Sequence, residues 1–192
     1  MKMLFNILLF FSFACLYADE DVPHYRFYPR TPITDYSSAE LNFYSVKDLY
    51  GEFSNFALFP ITVNGISWPS SEHYYQAQKF LDPDLQEKVR AAGSPYLAAQ
   101  IGRDPNLPIR EDWNGVKNEV MLVALHAKFG QYEVLRALLL STKKCTIYEH
   151  TKNDCYWADC GDRSGKNILG KQLMQIRQEI SESIDTLFFT RL

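Results

Sequence analysis

An α+β domain, mostly helical with a small β-sheet, is what the sequence predicts, and three observations carry it. Apolar residues recur at helical spacing in several segments, the longest from about residue 111 to 129. Runs of aromatic and β-branched residues, the material of strands, are short and few. No period of about 20–50 residues repeats, so a solenoid is excluded. The chain has 192 residues and 46% hydrophobic content, enough for one compact core. The expected organisation is a leader over 1–18, an irregular extension over 19–40 rich in Pro, Asp and Ser, and one domain over 41–192.

Within that domain the elements follow in order. Leu41 to Val46 reads as a strand, and a Gly- and Ser-punctuated loop with Phe53 and Phe56 follows it. Phe59 to Trp68 reads as a hairpin, because Asn64-Gly65 accepts the positive φ angles of a type I′ turn. Pro69 and Ser70 open a helix, with Ser70 or Ser71 as cap, and Pro83 bars it beyond Leu81. Asp84 to Ala92 and Ser94 to Gly102 give two short helices, the second with Pro95 at its first position. The long helix over 111–129 presents Val116, Val120, Val123, Ala124 and Ala127 and is expected to stop at Gly130. Tyr132 to Leu140 is a further helix, Lys144 to His150 a strand, Thr151 to Lys166 a polar loop, and Asn167 to Ser181 a last helix with Leu169, Leu173, Met174 and Ile176 inward.

The first 18 residues stand apart. Lys2 precedes an apolar run to about Leu16, and Ala18 is followed by acidic residues. That layout predicts a secretory signal peptide cleaved after Ala18, with an uncleaved anchor as the alternative, and hence a secreted protein. Three cysteines then remain, Cys145, Cys155 and Cys160, so export permits one disulfide and leaves one thiol over. The Cys155/Cys160 spacing lacks the second ligand pair of a closed zinc site, and no metal or cofactor is expected. A net charge of −3 argues against a general nucleic-acid binder, whose surface would be strongly basic.

Three constellations carry chemistry. In "WPSSEHYYQAQKF" a helix advances about 100° per residue, so Gln76 falls about 40° to one side of Glu72 and Lys79 about 20° to the other. A solvated salt-bridge stripe is the ordinary reading of such a pattern. Here Trp68, Tyr74, Tyr75 and Phe80 crowd the same turns, which suits a planar base with its sugar. His73 falls on the packing side with Ala77 and Phe80 and reads as a core histidine. The second constellation, "GRDPNLPIREDWNGVKNEVM", places Arg103, Arg110, Trp113 and Lys117 around a helix start, an arrangement suited to an anion; charge balance against Asp104, Glu111 and Asp112 is the simpler account. The third, "NDCYWADCGDRSGKNILG", sets Asp154, Trp157, Gly161, Gly165 and Asn167 before the last helix.

These segments, with "FYSVKDLYGEFSNFALFPITVNGISWPSSEHYYQAQKF" ahead of them, resemble the successive blocks of the NADAR (YbiA-like) family from about Asn42 to Arg177. The resemblance implies a compact domain of YbiA-like fold that cleaves N-glycosidic bonds, with a lysine attacking ribose as a Schiff-base nucleophile. Family substrates are ADP-ribose on guanine bases and phosphoribosylamine intermediates of riboflavin synthesis. Carried over by position, the resemblance implies Lys79 and Glu72 as catalytic residues. It implies Ser54, Asn55, Phe56, Gln76, Arg103, Trp113, Asp154, Trp157 and Asn167 as binding residues. The residues themselves add Trp68 as a stacking surface and Lys117 as a phosphate partner. This chain departs from the family in following Trp157 with Ala158, Asp159 and Cys160 where glycines are usual.

The function expected is a secreted N-glycosidase that releases ADP-ribose from ADP-ribosylated guanine, in a nucleotide or a nucleic acid. The alternatives are an N-glycosidase of phosphoribosylamines and a non-catalytic ADP-ribose-binding module. After leader cleavage no stable membrane association is expected.

Overall fold

A computed structural model describes residues 39–189 of the protein. The expected leader and residues 19–38 of the expected extension lie outside the described residues. The elements are β1 (Glu40–Phe43), a 3₁₀ turn (Gly51–Phe53), β2 (Ile61–Val63), β3 (Ile66–Trp68), α1 (Ser71–Ala77), α2 (Pro83–Arg90), α3 (Pro95–Ile101), α4 (Trp113–Gln131), α5 (Glu133–Ser141), β4 (Thr146–Glu149) and α6 (Ile168–Phe189). No helix of the described residues is long and apolar enough to cross a membrane.

The order and type of the elements follow the sequence reading, and the differences have local causes. The expected small sheet is two separate pairs. β1 runs parallel to β4, from Glu40 opposite Thr146 to Phe43 opposite Glu149, while β2 and β3 form the hairpin. Asn64 at φ 51° and Gly65 at φ 78° make its turn, both in the left-handed region that a type I′ turn requires.

The helix α1 ends at Ala77, not near Leu81. Its last turn tightens, with Lys79 N–H donating to Gln76 O and Phe80 N–H to Ala77 O, and the Lys79 carbonyl then accepts Arg110 N–H at 2.8 Å. The helical partner of that carbonyl would be Pro83, which has no N–H to give, so the helix cannot continue through it. The Ser70 hydroxyl caps the other end by accepting from His73 N–H. In α4 the chain passes through Gly130 and turns only at Tyr132, whose extended backbone separates α4 from α5. Val123 lies exposed on α4; the buried stripe is Trp113, Met121, Ala124, Leu125, Lys128 and Phe129.

Two apolar clusters form the core. One gathers β1, β4, α4, α5 and α6 around Phe43, Phe53, Leu125, Phe129, Leu139, Ile147 and Leu173. The other joins Ile61, Trp68, Tyr74, Ala77, Phe80, Val89, Ala98 and Ala124. Between them runs α1, with Tyr75 in the first cluster and Tyr74 and Ala77 in the second. Every residue of α1 is buried, so its polar stripe faces protein and a cavity, not bulk water. His73 is the core histidine expected: its ring bonds Ser70 Oγ at 2.8 Å and Ala92 O at 3.0 Å, and burial lowers its pKa.

Candidate active site

A cavity of about 210 Å³ opens beside α1. Its wall on one side is Glu72, Tyr75, Gln76 and Lys79; Asn55 and Phe56 come from the loop before β2, Arg103 from the end of α3, Met121 from α4, Glu149 from β4, and Asp154 and Trp157 from the loop after it.

The α1 side is held by short polar links. Glu72 N–H donates to Asn55 O, and Gln76 Nε2 donates to Glu72 Oε1 at 2.7 Å. Burial raises the Glu72 pKa, against the hydrogen bond from Gln76 and the charges of Arg103 and Lys79. Lys79 lies two residues past the end of α1, where its Nζ donates to Gly102 O at 2.7 Å and stands 5.8 Å from the ring centres of both Tyr75 and Trp113. Burial lowers its pKa to about 8, Arg103 and Lys117 pushing the same way and Glu72 opposing. Gly102 has an ordinary φ of −69°, but a Cβ there would meet Gln76 Oε1 and two side-chain carbons of Gln76 within 2.9 Å. Only glycine lets α3 come this close.

The opposite side is a strap, residues 151–166. Asp154 Oδ1 accepts the N–H groups of Tyr156 and Trp157, each at 2.7 Å, which turns Trp157 into the cavity wall. Cys155 and Cys160 are joined by a disulfide, and Cys145 is the buried free thiol. Asp159 is fully buried and accepts from Thr151 N–H, Gly161 N–H, His150 and Arg163. Burial raises its pKa, but these bonds to the charged form prevail and hold it near about 2. Arg163 continues to Glu40 Oε2 at 2.6 Å and Asn42 Oδ1 at 2.9 Å, tying the strap to β1. Ala158, where the family has glycine, is fully buried, and Gly165 packs so closely on its carbonyl that a Cβ there would stand at 2.5 Å.

The structure thus brings Asn55, Phe56, Glu72, Gln76, Lys79, Arg103, Asp154 and Trp157 to one cavity. Trp113 borders it through Tyr75, ring centres 5.1 Å apart. Lys117 stands outside it, Nζ 4.0 Å above the Tyr156 ring, with Lys166 5.0 Å from the same ring. Three further expected binding residues do not line the cavity. Trp68 is buried edge-on against Tyr74 in the second cluster and offers no stacking face. Ser54 shapes the loop, its Oγ accepting from Phe56 N–H and its carbonyl from Lys128 Nζ at 2.8 Å. Asn167, at φ 48°, donates from Nδ2 to Ile147 O and accepts Glu149 N–H on Oδ1, so it fixes β4 to the start of α6.

Sequence reading missed Met121, Glu149 and Lys128 and named Tyr75 only as aromatic company. Glu149 reaches the cavity because β4 pairs with β1, a long-range contact that leaves no local periodicity. Burial lowers the pKa of Lys128, which is wholly enclosed, to about 7. A lysine at an apolar-stripe position of a helix was the one available signal.

Fold and cavity together define the class: an α+β domain that presents a desolvated lysine amine beside a carboxyl group in a sugar-sized recess. The NADAR domain matches residues 42–181, and the chain belongs to the NADAR family. It is 53% identical over 141 residues to the N-glycosidase YbiA of Escherichia coli (strain K12), covering 73% of this chain and 88% of that one. The solved NMR structure of the E. coli protein YbiA superposes with a TM-score of 0.71 at 52% identity, covering 78% of this chain and 88% of that chain. An N-glycosidase of Nostoc punctiforme is 38% identical over 141 residues, 72% of this chain and 90% of its own. A riboflavin biosynthesis protein of Vibrio vulnificus is 43% identical over 140 residues, 73% of this chain and 38% of its own.

Proposed function

We propose that the protein is an N-glycosidase, a hydrolase of N-glycosyl bonds, that releases ADP-ribose from ADP-ribosylated guanine through a Schiff base on Lys79. The observation that carries the reading is the Lys79 amine, buried beside Glu72 with its pKa lowered to about 8. Against an ordinary 10.5, that shift raises the neutral, nucleophilic fraction at pH 7 by about 300-fold. Neutral Lys79 bonds to C1′ as the C1′–N bond breaks with its electron pair on the guanine nitrogen, which takes up a proton as it departs; Glu72 takes the proton lost by the new secondary amine and returns it to the ring oxygen, and the opened sugar is held as an imine until water releases it.

The cavity is smaller than the roughly 300 Å³ at which drug-sized ligand sites begin, so it suits the ribosyl group alone. The remainder of the substrate then lies across the mouth, where Arg103 is exposed and Lys117 and Lys166 flank Tyr156. Those cations offer charge-assisted bonds to a diphosphate. Secretion through residues 1–18 belongs to the same reading and directs the enzyme at extracellular or foreign targets.

A second reading has its own support. Relatives in Vibrio vulnificus and Zea mays are named riboflavin biosynthesis proteins, which favours a phosphoribosylamine as substrate. One experiment separates the two. The protein is given an ADP-ribosylated guanine oligonucleotide and a phosphoribosylamine, and products are followed by mass spectrometry. Release of ADP-ribose supports the first reading; turnover of the phosphoribosylamine alone moves the second ahead; binding of ADP-ribose with turnover of neither leaves a binding module.

A further inference from the structure

Cleaving an N-glycosidic bond needs two proton carriers, because the nucleophile sheds a proton while the departing nitrogen requires one. Glu72 cannot serve both ends at once. It lies on the Lys79 side of the cavity, and its Oε1 is already engaged by Gln76 Nε2. Asp154 spends Oδ1 on two backbone N–H groups of the strap. The remaining carboxyl group in the cavity is Glu149, the last residue of β4. Its backbone is fixed from both sides, N–H to Asn167 Oδ1 and carbonyl to Asp159 N–H. Its carboxyl group, by contrast, has no hydrogen-bond or ion-pair partner among the described residues. Asn55, on the same lining, is also buried with its Oδ1 unpartnered. Gln76 Oε1, also on the lining, is a third such atom, and uncommitted polar groups at one cavity point to a ligand that completes them.

We infer that Glu149 is the general acid of this site: its carboxylic acid protonates the nitrogen that leaves C1′. The assignment rests on the N-glycosidase reading and deepens it. In the first step Lys79 Nζ forms a bond to C1′, the C1′–N bond breaks with its electron pair on nitrogen, and the Glu149 proton passes to that nitrogen. The Lys79 adduct gives its surplus proton to Glu72, which hands it to the ring oxygen as the ring opens to the imine. Water then attacks the imine carbon and returns a proton to the Glu149 carboxylate, collapse of the carbinolamine frees Lys79, and the sugar hydroxyl closes again on the aldehyde carbon. The net change is one water consumed, its hydroxyl on C1′ and its hydrogen on the departed nitrogen.

The surroundings keep the acid loaded. Burial and the neighbouring carboxylates of Asp154, Glu72 and Asp159 raise the Glu149 pKa to about 8. Lys79 and Arg103 are the cations of the same cavity, and neither pairs with Glu149. The rate therefore requires a neutral Lys79 and a protonated Glu149, both titrating near about 8, which gives a narrow bell in pH.

The test compares wild type with Glu149→Gln on a series of ribosyl N-glycosides whose leaving amines differ in basicity, alongside borohydride trapping with ribose 5-phosphate, which needs no leaving group. Wild type should turn over and form a reduced adduct at Lys79. Glu149→Gln should lose about 10²–10⁴-fold in kcat, most for the most basic leaving amine, lose the high-pH limb, and still trap ribose 5-phosphate normally. Equal loss across the series, or an unchanged rate, would overturn the assignment alone. Loss of the ribose 5-phosphate adduct as well would mean that Glu149 holds the site's shape, and would also overturn it. No turnover and no adduct on wild type would sink the N-glycosidase reading and the assignment with it.

Discussion

The two sides of the cavity are built in opposite ways. The α1 side is regular secondary structure, buried between two apolar clusters, and its polar residues sit where helical geometry puts them. The strap opposite has no regular structure. It includes Cys160 and Arg163 at φ of 67° and 71°, conformations that cost a non-glycine residue about 1–3 kcal/mol each. What holds it is one buried carboxylate, one disulfide and the Arg163 link to β1. The contrast separates two kinds of substitution: at Glu72, Gln76 and Lys79, on the polar stripe, changes should act on rate before stability, and under the strap they should act on stability first, while Tyr74, Tyr75 and Ala77 of α1 belong to the apolar core.

The largest expected effect breaks the chemistry. Lys79→Ala should bring turnover below detection, and borohydride reduction with substrate should label wild type at that lysine but not the variant. Glu72→Gln comes next, with kcat lowered about 10²–10⁴-fold and substrate affinity far less changed. A stopped-flow separation of binding from turnover checks it, and an unaltered kcat at every pH removes Glu72 from proton transfer.

The strap supplies the smaller effects. Asp159→Ala leaves Arg163 and two N–H groups without their buried acceptor and should destabilise the fold by about 3 kcal/mol. The lowered pKa of Asp159 has a definite sign. Its contribution is present above the ordinary value of 3.8 and is lost as pH falls through about 2. Urea denaturation at several pH values should show wild type losing stability in that acid window and the variant losing less. Reducing the Cys155–Cys160 disulfide, which closes a loop of sequence separation 5, should lower stability by about 2 kcal/mol and raise KM more than it lowers kcat. An unchanged KM after reduction would show the other strap contacts to be sufficient for Trp157.

How much of this was legible in the sequence divides along the same line. The hairpin turn at Asn64-Gly65, the Ser70 cap and the Glu72–Gln76 pair were readable, because each depends on residues a few positions apart. Lys79 is on the stripe expected of it but past the end of α1, because the last turn closes in 3₁₀ bonds, Lys79 N–H to Gln76 O and Phe80 N–H to Ala77 O. Asn167 was read as a ligand contact and is placed as a clamp on β4, and Trp68 as a platform and is placed in the core. Glu149 and the arginine link across Asp159 escaped altogether, because the pairing of β1 with β4 that creates them carries no local signal.

That pairing also sets a timetable. Glu40 and its partner Arg163 are 123 residues apart in the chain, and closing so long a loop is entropically costly before any contact rewards it. During synthesis Lys79 emerges well before Glu149, Asp154 and Trp157 exist. A nascent chain therefore carries Lys79 and Glu72 without Glu149 or the second wall, and the recess forms only once β4 has docked. Catalytic competence should appear as one late event, together with the last strand, and not grow gradually with chain length.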